Sequence, residues 1–176
     1  MQPEKTRTIF VLLTEHSDLI SKVFKTMIIG KYTHSSIGLE EYNHIFFSFV
    51  TKDGFHIERP LKSRNPKKRN APCALYRMEV TDEVYMKIKA RLQHFYENAV
   101  QYRYSFIGLL LCVFHIPHCV KNRYFCSQFV SELLMSLGAA RLQKQASLYL
   151  PDDFTNEPQF RLCFQGTLSG LENFSS

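Results

Sequence analysis

Short runs of strand-forming residues, each closed by turn residues, recur along this chain and constrain its fold more than any other feature. They are "TIFVLLT" from Thr8 to Thr14, "THSSIGLEE" from Thr33, "HIFFSFV" from His44, "FHIERP" after Asp53 and Gly54, "CALYRMEV" from Cys73 to Val80, and "FRLCFQG" from Phe160 to Gly166. A lone strand or hairpin is marginal in water, so runs of this kind must share a sheet and hide one face of it. The segments between them supply the cover. Ser17 is an N-cap for "DLISKVFKTMI", in which Leu19, Val23 and Met27 recur at helical spacing before Gly30 stops the helix. Thr81 caps a second helix through about Ala99, with Val84, Ile88, Leu92 and Phe95 on one face and Glu83 and Lys87 on the other. A turn at Glu41 to Asn43 joins two of the strands, and "YLPDDF" reads as a loop. The expected class is α+β, a mixed and mostly antiparallel sheet packed against helices, in one domain over residues 1–176.

The longest apolar run, "FIGLLLCVFHIP" from Phe106 to Pro117, is well short of the roughly 20 residues a membrane-spanning helix needs. It reads instead as a turn followed by a short buried helix. The start, "MQPEKTRTIFVLL", lacks the pattern of a secretion signal, so the expected location is cytoplasmic. Five cysteines without regular spacing then read as reduced thiols. Fifteen Phe and nine Tyr with no Trp point to an aromatic interior. The net charge of +6 is densest in "KSRNPKKR", Lys62 to Arg69. That run is a solvated loop or a peripheral contact with anionic lipid, and no nucleic-acid motif stands near it.

One helix carries a chemical question. In "NRYFCSQFVSELLMSLG", Asn122 to Gly138, the side chains of Phe129, Val130, Leu133, Leu134 and Leu137 form an apolar face, and Gly138 sits where a left-handed cap belongs. Cys126 shares that face at the amino end, where unpaired backbone N–H groups and the helix dipole favour a thiolate. The same N–H groups, that of Cys126 included, suit a developing oxyanion. Such a cysteine is either a small buried hydrophobe or a nucleophile, and a nucleophile needs a base. Of seven histidines, His34 opens a strand, which aims an imidazole better than a loop does. A metal set is the other reading that cysteine and histidine invite. "CVFHIPHC" holds Cys112, His115, His118 and Cys119, yet Pro117 breaks the helix that would align them, and neither a metal nor a cofactor is expected.

Taken in order, "YTHSSIGL", a second strand with "FFSF", and "YFCSQFVSELL" far downstream resemble the circularly permuted branch of the NlpC-type, papain-like cysteine hydrolases. That branch includes the bacterial YiiX-like and YebB-like proteins and the lecithin retinol acyltransferase group. The similarity extends to "IFVLLTEHSDLISKVFK", "GFHIERP", "YRYSFIGLLL" and "LPDDF" before "FQG", nearly the whole chain. It implies a permuted papain-like fold with Cys126 as nucleophile and His34 as general base. The third member of such a site lies on the strand after the histidine strand, which implies Ser48, with His44 and Glu58 as competitors. Tyr32 is either a pocket-lining or oxyanion-side hydroxyl or a core aromatic. The activity implied is a cysteine peptidase or amidase on an amide, ester or thioester of a peptide, lipid or other acyl-bearing molecule. Acyl transfer to a lipid and a catalytically silent binding module of the same fold are the alternatives. The oligomeric state is left open.

Overall fold

A computed structural model of the chain describes residues 5–15 and 30–174. The helix expected from Ser17 falls on residues 16–29 and lies outside the described ones. The described residues form eight strands: β1 (Thr6–Thr14), β2 (His34–Leu39), β3 (Phe46–Val50), β4 (Gly54–Glu58), β5 (Pro72–Thr81), β6 (Arg103–Tyr104), β7 (Arg123–Tyr124) and β8 (Arg161–Thr167). Six of them form one sheet in the order β4-β3-β2-β1-β5-β8, and every neighbouring pair is antiparallel. The α+β class with a mostly antiparallel sheet is therefore observed.

β1 is central because its sequence suits no other place. Val11, Leu12 and Leu13 are consecutive and all fully buried, so both faces of the strand need cover. One face receives α2 (Asp82–Glu97) and α4 (Cys126–Ser136), which pack on Ile9, Val11, Leu13, Ile37 and Phe49. The other receives the C-terminal helix α5 (Leu168–Glu172), whose Leu168 and Leu171 meet Leu12, Phe46, Cys73 and Leu75. The sequence reading ends at β8 and does not anticipate α5.

Thr81 does cap α2, its Oγ1 accepting from the Val84 N–H at 3.3 Å. The face it buries is led by Tyr85 with Ile88, Leu92 and Phe95, while Val84 is only half-buried. Each such burial stabilises the fold by roughly 2 kcal/mol. Phe95 joins Phe49, Phe55, Tyr102, Tyr124 and Phe129 in an aromatic cluster with ring centroids 4.5 to 6.4 Å apart. The basic run is not plain loop: Asn65 caps a single turn, α1 (Pro66–Arg69), and Arg69 reaches Glu172 of α5 at 2.6 Å. The "LPDDF" stretch is likewise a short 3-10 helix, Pro151–Asn156.

β6 and β7 form a separate parallel pair in the register Arg103↔Arg123 and Tyr104↔Tyr124. α3 (Phe106–Val113) follows the first and α4 the second, two residues beyond each strand. Two helices therefore begin side by side.

Gly54 connects this unit to the sheet. It sits at φ +73°, and a Cβ there would lie 2.5 Å from the Tyr102 carbonyl oxygen. Gly54→Ala combines left-handed strain with a backbone clash, and we expect it to cost about 2 kcal/mol or more. The shift of the urea unfolding midpoint measures it; an unchanged midpoint would show that the β4 turn and Tyr102 separate freely.

Candidate active site

Cys126 is the first residue of α4. Phe125 is its N-cap, in extended conformation and without a side chain capping the helix, so the first-turn N–H groups remain directed at whatever lies at the helix end. Ser127 ties this end down, donating its hydroxyl to the Tyr149 carbonyl at 2.6 Å. Ser131, one turn later, donates to the Ser127 carbonyl at 2.7 Å. Gly138 adopts φ +74° at the other end, as a left-handed cap requires.

His34 is the first residue of β2, and Thr14 of β1 pairs with it. The segment that delivers it is anchored by Asp152, whose two carboxylate oxygens accept the Lys31 and Tyr32 N–H groups, each at 3.0 Å. The sequence reading missed this anchor. Its signal was an acidic pair directly after a proline, which reads equally well as solvated loop. Tyr32 itself is buried, and its hydroxyl accepts from Gln165 Nε2 of β8 at 3.1 Å.

The two expected residues are brought together, close enough that each stabilises the charged form of the other, and both side chains are buried. Nε2 of His34 lies 2.6 Å from Oε1 of Glu58, the last residue of β4. Ser48 is elsewhere. Its hydroxyl donates to the Ser35 carbonyl at 2.6 Å, so the residue ranked first as the partner of the imidazole holds the adjacent backbone instead. The reason is chemical: a carboxylate facing a buried imidazole stabilises its charged form, which a neutral hydroxyl does far less. His44 stands in the turn before β3 at φ 62°, half-buried.

Burial opposes charge on both groups. It pushes the His34 imidazole down, but the Glu58 carboxylate and the hydrogen bonds to Cys126 and Glu58 outweigh it and raise His34 to about 10. Burial pushes the Cys126 thiol up, but the hydrogen bond and charge of His34, with the N–H groups of Ser35 and Ser127, bring it below its ordinary value. The contrast with the other buried thiols is direct, since burial alone takes Cys73 up to about 11 and is the main cause that takes Cys112 up to about 12. Both shifts act in the direction of the charged pair, thiolate and imidazolium.

All five cysteines are free. Cys112 faces the core with its sulfur 3.8 Å from the Tyr149 carbonyl, whereas Cys119 is exposed. Among the described residues no group of three or more metal-ligating side chains gathers. Among them, too, no helix is long and apolar enough to cross a membrane. Comparison of the chain with protein-family models and with curated proteins finds no match.

Proposed function

We propose that the protein is a thiol hydrolase or acyltransferase that works through a covalent acyl-enzyme on Cys126, in a fold of the permuted papain-like kind. The observation that carries this reading is the Cys126–His34–Glu58 arrangement, in which a buried thiol at a helix amino end is lowered while burial raises the thiols of Cys73 and Cys112.

In the first half-reaction the Cys126 thiolate attacks an acyl carbonyl carbon, forming a C–S bond and a tetrahedral oxyanion. The first-turn N–H groups of α4, which no side chain caps, are the donors proposed for that oxyanion. Collapse breaks the bond to nitrogen, oxygen or sulfur, and imidazolium His34 gives its proton to the leaving group. In the second, neutral His34 takes a proton from water or another acceptor, which attacks the thioester and releases the thiolate. Glu58 holds the ring and stabilises its charge throughout. The hydroxyl of Ser48 acts one step back: it holds the carbonyl of Ser35, the residue whose N–H, in the preceding peptide, faces the sulfur.

Incubation with soluble amide, ester and thioester donors, read by intact mass and peptide mapping, tests the reading. The expected result is an adduct of one acyl group on the peptide holding Cys126, absent from Cys126→Ser. Turnover without such an adduct and indifferent to Cys126→Ser would reject it.

A further inference from the structure

The apolar segment that follows β6 is not buried as its composition demands. In α3 only Gly108, Leu109 and Cys112 face inward. Phe106, Ile107 and Leu110 on the outward face, with Phe114, Ile116 and Val120 beyond it, are 40% to 65% exposed. A helix apolar all round belongs inside a protein or a bilayer, and exposed apolar side chains clustered this way mark an interaction surface. Phe114 and Ile116 flank His115 at φ 58°, a left-handed bend that turns the chain back toward β7.

The charge around these side chains selects the partner. From Asn98 to Ser131 the chain contains no Asp or Glu. Arg103, Lys121 and Arg123 are exposed there, and no ion pair among the described residues engages them. Apolar anchors rimmed by free cations are complementary to an anionic bilayer, which accepts the first into its acyl region and the second at its headgroups. The basic run at Lys62–Arg69 has cations without anchors: Arg69 is spent on Glu172, and among the described residues 59–71 no large apolar side chain is exposed.

Position ties this surface to the site. The parallel register of β6 and β7 starts α3 beside α4, and a Cβ on Gly108 would come within 3.5 Å of the Phe125 ring, the residue before Cys126. We infer that residues 106–123 dock on an anionic lipid bilayer and bring the Cys126 site to acyl-bearing lipid. The docking stands on its own observations, while the supply of acyl donor from the bilayer rests on the catalytic reading above.

The test is flotation with phosphatidylcholine vesicles with and without phosphatidylglycerol, on the wild type and on Cys126→Ser. Both proteins are expected to float with the anionic vesicles. Ile107→Glu with Phe114→Glu should abolish flotation, and Lys121→Glu with Arg123→Glu should weaken it by about ten-fold or more, with thermal unfolding confirming that the variants fold. Because the chain has no Trp, Ile107→Trp supplies a single fluorophore whose emission should shift to the blue on anionic vesicles, while Met86→Trp on α2 should not respond. Flotation that ignores all these changes and is lost on neutralising Lys67, Lys68 and Arg69 would overturn the proposal, as would self-association through this face with no lipid binding. An absent acyl-enzyme with flotation intact would remove the catalytic reading and leave docking in place; the reverse result would remove docking alone.

Discussion

His34→Ala is expected to slow alkylation of Cys126 by iodoacetamide at pH 7 by about ten-fold or more, a thiol at the unperturbed value of about 8.5 being only about 3% thiolate there. The sign follows from the balance at the sulfur. Burial raises the thiol, and only the hydrogen bond and charge of His34, with two backbone N–H groups, bring it down. Without the imidazole, burial dominates as it does at Cys73, which is pushed up to about 11. Part of the effect is offset, because a more basic thiolate is intrinsically a better nucleophile. The pH profile carries the distinction. In the wild type the labelling rate should rise at a pH below the ordinary thiol range; in His34→Ala the rise should move to higher pH. Cys126 labelled no faster than Cys119, with a profile indifferent to His34, would mean that the helix keeps its cysteine for packing. The proposed catalysis needs both charges, so acyl transfer should also fall at the alkaline end, as His34 loses its proton at about 10.

How much of this was legible beforehand depended on whether the information was local. The strands were written in short β-rich runs, and β1 to β5 and β8 fall within a residue or two of those runs. The Thr81 cap and the Gly138 stop were equally local, each set by one residue's own geometry. α5 was missed because "LSGLE" is one turn and a half with two Leu, a pattern too short to distinguish from a loop until the exposed rear of Leu12 and Leu75 requires cover. The apolar run at Phe106–Pro117 went wrong in the other direction. Composition said buried, but only one side of α3 finds the core.

The site divides the same way. Cys126 could be picked from its helix end and His34 from its strand start, both local marks. The identity of the imidazole's partner was not local, because it depends on where a strand two removed in the sheet places its last side chain. Glu58 closes β4, which reaches β2 only across β3, and nothing in "GFHIERP" reports that distance. Ser48 was nearer in sequence and chemically weaker.

That difference makes the second large prediction. Glu58→Gln preserves shape and removes the charge, and we expect it to lower acyl transfer by about a hundred-fold or more. It should also shift the alkaline limb of the pH–rate profile to lower pH. The carboxylate is the leading influence that raises His34 against burial, so its loss lets the imidazole give up its proton earlier. Ser48→Ala removes a hydrogen bond to the Ser35 carbonyl and leaves that oxygen buried, a loss of about 1 to 3 kcal/mol in stability. The alkaline limb should stay where it is, because no charge near His34 has changed. The two variants therefore separate a residue that sets the proton affinity of the base from one that only steadies the chain beside it. An alkaline limb that moves with Ser48→Ala and stays fixed with Glu58→Gln would reverse the assignment, making the 2.6 Å contact to Glu58 a structural ion pair and returning the orienting role to the serine.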